Sequence, residues 1–258
     1  LVKITKELER GKTYLHVCSQ EKRLLTLSGK VTKIFEKVRA DGRSFLLENE
    51  AKNVCIEYDI PVTQLKIAKS AEEAEKYSKE IGYPVVFKIL SPDVIHKFDV
   101  GGVILGINSQ EEAKIAYNQI LENVKTHKPD AKIYGILVQE MAPPATEVIV
   151  GAIKDPQFGP TIMFGLGGTF VEVMKDVSFR IAPITEEDAK EMITEIKAYP
   201  ILQGFRGQSP RDLKEIIKIL LNTSRLVMDH IEIKELDLNP VMVYSKGAKT
   251  VDARIILE

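Results

Sequence analysis

A strand, helix, strand order that occurs twice in succession between Thr63 and Gln139 constrains this chain more than any other feature. Residues 63–68 read as a strand, Ser70 and Glu73 form a capping box that opens a helix ending at Gly82, and residues 85–89 form a second strand. The grammar then repeats: 103–107 as strand, Ser109 and Glu112 as a second capping box, a helix to about Val124, and 133–139 as strand. Two such units in sequence predict the split βαβ order, and with it an α+β architecture.

Pro143-Pro144 breaks the direction of the chain, and a second lobe is expected after it. Short strands are expected at 148–153, 161–164, 171–173 and 179–181. Thr185 and Asp188 cap a helix, and Ser209 with Pro210 opens a longer one through Met228. Strands at 233–238, 241–244 and 251–256 complete the reading. Before the first unit, Leu47, Ala51, Val54, Cys55 and Tyr58 recur at helical spacing and stop before Pro61. The expected organisation is an N-terminal extension over 1–30, one lobe over 31–141 and another over 142–258, hinged near 139–144. Clefts between lobes are where small ligands usually bind.

The chain has 258 residues, enough for one large domain or two modest ones. Its net charge of −1 gives no global attraction to nucleic acid or to an anionic membrane, so any phosphate binding must be local. No stretch approaches the roughly 18 apolar residues of a membrane span. The two cysteines, Cys18 and Cys55, give neither a disulfide framework nor metal-ligand spacing. A cytoplasmic, reducing location is the expectation. The first residue is not methionine, which reads as a processed or partial chain.

The residues that look chemical fall in several separate places. Residues 91–102 set His96 on a polar loop ending in Gly101-Gly102 between two apolar strands. Histidine titrates nearest neutrality, so a useful fraction of His96 is neutral and nucleophilic, with Lys97 beside it disfavouring protonation and Asp93 and Asp99 available to orient the ring. Lys88 interrupts the apolar run 85–90, where an ammonium needs an anion such as phosphate, or else snorkels to solvent. Arg180 stands in a similar run and suits either bidentate phosphate contacts or an ion pair with Glu172 or Asp176. Glu235, Asp237 and Asn239 share one face of a strand, and Asp252 lies in an apolar stretch nearby, which makes Asp237, Asn239 and Asp252 a candidate oxygen-ligand set for Mg2+. A glycine-rich loop at 165–169 could approach phosphate oxygens but has neither dinucleotide nor P-loop spacing, and 204–207 is a second such loop.

Together, 85–88, the histidine loop, Gln139-Glu140-Met141, 147–151, 164–172, 176–183, 237–240 and 251–254 resemble the ATP-grasp β subunit of ADP-forming acyl-CoA (acetyl-CoA) synthetases and, more distantly, the β subunit of succinyl-CoA synthetase. The resemblance covers about Val31 to the C-terminus. It implies an ATP-grasp fold of two α+β lobes with a nucleotide cleft between them, and the reversible conversion of an acyl-CoA, ADP and phosphate into the free acid, CoA and ATP. It also implies an α subunit with CoA-binding and phosphohistidine domains, as an α2β2 assembly, which passes a phosphoryl group to His96 for transfer to ADP. On the same basis Lys88 holds nucleotide phosphates, Arg180 stabilises phosphoryl charge, and Asp237, Asn239 and Asp252 hold magnesium. Glu140 and Met141 meet the adenine, and Glu147 is the candidate for the ribose.

Position 98, often a small hydroxyl residue in that family, is Phe98 here, and the segment before about Val31 has no counterpart in its pattern. Two competing readings are a non-catalytic module that senses acyl-CoA or nucleotide, and an ATP-grasp ligase acting alone on a carboxylate. The first needs no phosphoryl acceptor and the second needs no His96. No CoA-binding or Rossmann unit is legible, which fits a subunit that works with a partner.

Overall fold

The computed structural model describes residues 29–168, 176–204, 207 and 209–258. The expected strand at 171–173, Thr169, Glu172, Phe205, Arg206 and the segment before Gly29 lie outside the described residues. The described residues fall into two units, 29–44 and 45–258. In the first, residues 29–40 are helical (α1). The second contains everything that follows.

Helix α2 (Glu48–Glu57) is succeeded by β1 (Leu65–Ala68), α3 (Ala71–Ile81), β2 (Val85–Leu90), β3 (Val103–Ile107), α4 (Gln110–His127) and β4 (Gly135–Glu140). The capping signals act as the sequence predicts: the Ser70 hydroxyl accepts from the Glu73 N–H at 3.2 Å, and the Ser109 hydroxyl from the Glu112 N–H at 3.1 Å. The four strands pair in the order β1-β4-β2-β3, each pair antiparallel. β1 and β2 therefore run parallel with β4 inserted between them, and β3 and β4 run parallel with β2 inserted, which is the split βαβ arrangement. Helices α3 and α4 pack on one face, where Ala74, Ala113, Ala116 and Ile120 meet Phe87, Ile89, Ile136 and Val138. The other face of β2 carries Val86, Lys88 and Leu90.

The second sheet is built from β5 (Thr146–Asp155), β6 (Gly159–Leu166), β7 (Val177–Ile181), β8 (Ile233–Val243), β9 (Ala248–Thr250) and β10 (Ala253–Leu257). Its order is β10-β8-β5-β6-β7, with β9 paired to β8. The two strands expected at 233–238 and 241–244 are one continuous strand, β8. Helix α5 (Glu186–Glu195) packs on β7, a short helix α6 (Tyr199–Leu202) follows, and α7 (Leu213–Asp229) packs on β5 and β6. α7 starts later than Ser209-Pro210 suggests, because the Asp212 carboxylate caps it by accepting from the Glu215 N–H at 3.1 Å.

The sheets are stitched together beside α2. The Thr63 N–H donates to the Thr250 carbonyl at 3.0 Å, and the Gln139 amide donates to the Val251 carbonyl at 3.3 Å. These contacts bring β2, β4 and the 251–252 link to one place, at the floor of a cleft.

Candidate active site

That cleft has a volume of about 670 Å³, and seven of the nine candidate residues line it: Lys88, His96, Glu140, Met141, Glu147, Asn239 and Asp252. The four-stranded sheet supplies Lys88, Glu140 and Met141 from β2 and the end of β4, and the six-stranded sheet supplies Glu147, Asn239 and Asp252. His96 comes from the 91–102 segment that joins β2 to β3.

The histidine segment is anchored at both ends. Val94 and Val100 are buried at 3% and 8% exposure, whereas Ile95 and Phe98 between them are 67% and 72% exposed. The Gly102 N–H donates to the Lys97 carbonyl at 2.7 Å, and the Asn123 amide of α4 donates to the Gly101 carbonyl at 3.0 Å. Glycine is required at 102 by close approach, since a Cβ there would lie 2.6 Å from the Ile89 Cγ2. Asp93 does not orient the His96 ring: its carboxylate accepts from the Lys132 N–H at 2.7 Å, which ties the base of the segment to the chain before β4. Lys97 turns inward, where its Nζ donates to Glu48 Oε2.

Lys88 finds its anion inside the protein. Its Nζ donates to Glu48 Oε1 at 2.6 Å and lies 3.5 Å from Asp252 Oδ2. Lys52 reaches the same Glu48 oxygen at 3.1 Å, and Lys97 reaches Oε2 at 2.6 Å. Burial alone raises the Glu48 carboxyl, but Lys88, Lys52 and Lys97 outweigh it and hold the group well below the usual carboxylate range. Burial lowers the Lys52 ammonium to about 8, with Glu48 opposing and Lys88 adding to the fall. For Lys88, burial is more than offset by Glu48 and Asp252, so its proton is held more tightly than in water.

Glu48 and Lys52 were not singled out from the sequence, yet a signal was there. Glu48, Ala51, Lys52 and Cys55 stand at positions i, i+3, i+4 and i+7, so two charges sit on the stripe that α2 buries. A charge at a core position needs a partner, and each of these is part of the other's answer.

Asp252 is not inside a strand as expected. It occupies the two-residue link between β9 and β10, half-exposed, and its carbonyl accepts from the Asn239 N–H at 3.2 Å. Asp237 lies two residues before Asn239 in β8, opposite Arg254 in register, and does not itself line the cleft. Its carboxyl is raised by burial and by the negative charge of Asp252, against the pull of Arg254. Asp252 raises the cost of charging Asp237, and these two carboxylates with the Asn239 amide oxygen would be a donor set that a hard divalent cation relieves. Among the described residues, no group of three or more His, Cys, Asp or Glu side chains converges on a metal-sized site.

Arg180 is the one candidate that the fold turns away from the cleft. Register pairs run from Arg180 through Ile162, Ala152 and Leu236, while those from its neighbour Phe179 run through Met163 and Gly151 to Asp237. Paired residues share a face, so Arg180 and Asp237 lie on opposite faces of the sheet. The guanidinium meets α5 instead, donating to Glu195 at 2.9 Å and to Glu191 at 3.2 Å. Among the described residues the ion pair considered from the sequence is present with Glu195 and Glu191, while Glu172 lies outside the described residues. Asp176 accepts from the Lys197 and Ala198 N–H groups, both at 2.8 Å.

Glu140 and Met141 do stand where β4 leaves for the second sheet. The Glu140 carboxylate is held by Lys249 and by the Gln64 N–H at 2.9 Å, and the Met141 N–H donates to the Pro84 carbonyl at 3.2 Å. The glycine-rich loop after β6 runs against Glu147: the Gly167 N–H donates to the Glu147 carbonyl at 2.7 Å, and a Cβ at 167 would lie 2.8 Å from the Glu147 Cβ. Backbone contact with Glu147 accounts for the glycine at 167.

The two sheets, the cleft between them and its lysine and carboxylate lining are those of an ATP-grasp protein, and the model of the ATP-grasp domain family matches residues 37–257. The β subunit of acetate–CoA ligase (ADP-forming) II from Pyrococcus furiosus is 54% identical over 90% of this chain and 100% of its own. The acetyl-coenzyme A synthetase 1 of Ca. Korarchaeum cryptofilum, solved with coenzyme A and Ca-AMPCP, superposes with a TM-score of 0.85 at 55% identity, covering 88% of this chain and 99% of that one. A second structure of that enzyme, with Mg-AMPPCP and its phosphohistidine segment pointing towards the nucleotide-binding site, matches with a TM-score of 0.80 at 50% identity over 88% of this chain and 100% of that one. The chain belongs to the ATP-grasp family and, within it, to the β subunits of ADP-forming acetate–CoA ligases. Among the described residues, no helix is long and apolar enough to cross a membrane.

Proposed function

We propose that this chain carries out the nucleotide half of acetyl-CoA + ADP + phosphate ⇌ acetate + ATP + CoA, with His96 as its phosphoryl carrier. The observation that carries the reading is that His96 opens onto the same cleft as Lys88, Asn239 and Asp252. A partner α subunit would form the phosphoryl group and hand it to His96. In the step on this chain, a terminal phosphate oxygen of ADP attacks the phosphorus held on the His96 ring, the N–P bond breaks as the O–P bond forms, and the imidazole regains its lone pair. Lys88 would orient and neutralise the nucleotide phosphates from the floor of the cleft. Glu140 and Met141 would meet the adenine and Glu147 the ribose, with the lobe boundary after Met141; all three line the cleft. Asp237, Asn239 and Asp252 would hold Mg2+, which when bound supplies charge neutralisation to the phosphates. Arg180 stays outside this mechanism, since it faces α5.

The test is phosphorylation of the isolated chain by γ-labelled ATP with Mg2+. An acid-labile, base-stable label that disappears in His96→Ala is the expected result. Absence of label on the wild-type chain, even when an α subunit, acetyl-CoA and phosphate are supplied, overturns the carrier role and favours the sensing or stand-alone ligase alternatives.

A further inference from the structure

The function proposed above leaves Lys97 without a role, although it occupies the most conspicuous position in the segment. Its neighbours Ile95, His96, Phe98 and Asp99 are exposed, while the Lys97 side chain turns inward and is only 21% exposed. Its Nζ donates to Glu48 Oε2 at 2.6 Å, and that carboxylate is almost fully enclosed. The main chain of Lys97 is fixed as well, its carbonyl accepting from the Gly102 N–H at 2.7 Å.

We propose that Lys97 is a positioning residue, and that its ion pair with Glu48 is the latch that holds the His96 segment against the nucleotide cleft. The inference rests on the reading of His96 as the phosphoryl carrier. A charge-assisted bond to an enclosed carboxylate fixes both the distance and the direction of the side chain, and the neighbouring imidazole is set with it.

The charges around Glu48 also make the latch releasable. Lys52, Lys88 and Lys97 surround Glu48 and Asp252, three ammonium groups against two carboxylates. With Lys97 in place the cluster holds one surplus positive charge, close to where a phosphoryl dianion on His96 would arrive. When Lys97 leaves, two ammonium groups face two carboxylates, and Glu48 keeps Lys88 and Lys52 on Oε1. An ordinary buried pair gives no such exit, because parting leaves an uncompensated charge. Of the three ammonium groups Lys97 is the least enclosed, at 21% exposure against 1% and 8%, and it is the member attached to the segment.

Single-turnover labelling of the full chain by γ-labelled ATP and Mg2+ tests this with Lys97→Met, Lys97→Arg and wild type, alongside amide hydrogen exchange over residues 94–100. Lys97→Met is expected to slow labelling at saturating ATP by roughly ten- to a hundredfold, the scale of a misplaced reacting group. The ATP concentration for half-saturation should stay within about twofold of wild type, as befits a residue that does not hold nucleotide. Exchange should quicken across 94–100 and not in α3 or α4, and Lys97→Arg should recover most of the rate. Wild-type labelling speed in Lys97→Met, or a loss expressed as a higher half-saturating ATP concentration, overturns the latch. If the wild-type chain itself takes no label, the carrier role of His96 is what fails. The exchange measurement still decides the latch in that case, since unchanged exchange over 94–100 in Lys97→Met refutes it.

Discussion

Replacing Glu48 with glutamine removes the one anion that Lys52, Lys88 and Lys97 share. The side chains of Glu48, Lys52 and Lys88 are 2%, 1% and 8% exposed, so water cannot take the carboxylate's place. Breaking a buried pair from one side costs about 3–5 kcal/mol. In a chain of this size each kcal/mol moves the melting temperature by roughly 2–4 °C, so Glu48→Gln should melt on the order of 6–20 °C below wild type at neutral pH. The pH dependence has a definite sign. The folded carboxyl is held below its ordinary value of 4.5, so its contribution is fully present above that value and is lost as pH falls towards the folded one. The gap between wild type and Glu48→Gln should therefore be flat from pH 5 to pH 7 and narrower by about 1 kcal/mol near pH 3.5. Lys52 works in the opposite window: its folded value of about 8 lies below 10.5, so stability from this group rises with pH between the two. Urea unfolding across pH, read as the shift in midpoint, measures all of this. A deficit below about 1 kcal/mol at neutral pH, or one that does not narrow in acid, refutes the claim that the lysines depend on Glu48.

Two further outcomes follow from the geometry. Arg180→Gln should label on His96 at a rate within about twofold of wild type, because the guanidinium lies on the α5 side of the sheet; a loss beyond roughly tenfold would show that Arg180 reaches the reacting phosphate. Asp252→Asn should raise the Mg2+ concentration needed for half-maximal labelling by roughly tenfold or more, and unchanged Mg2+ dependence would remove Asp252 from the donor set.

Much of this was legible before any coordinates. The capping serines and the split βαβ order follow from periodicity and punctuation, which are local. Lys88 and Asp252 stood out because each breaks an apolar context and His96 because it stands on a polar loop between two apolar strands, and all three line one cleft. What stayed hidden depended on register. Phe179 and Ile181 are apolar and yet lie on an open face, at 47% and 53% exposure, so the alternation in β7 gives the wrong side for Arg180 until β6 and β5 are laid beside it. Glu48 and Lys52 were hidden for a different reason: a Glu and a Lys four apart on a helix are usually a solvated pair, and only the burial of their stripe shows otherwise. The start of α7 turned on Asp212, whose capping role depends on backbone geometry that Ser209-Pro210 mimics in sequence.

The two buried valines that bracket the histidine segment put His96 on a leash. His96 is two residues past Val94, and an extended chain spans about 3.3–3.6 Å per residue, so with Val94 in place its Cα stays within roughly 7 Å of that anchor. Reaching farther means drawing a valine out of the core formed with Ile89, Ile107 and Ile120, at about 1.5–3 kcal/mol for the side chain exposed. On the proposed latch, exchange at the nucleotide takes place with Lys97 held by Glu48, whereas any longer reach would need the latch to open and the core to give up one of its members. A hydrophobic step of that size would separate the two reaches and set the range of His96.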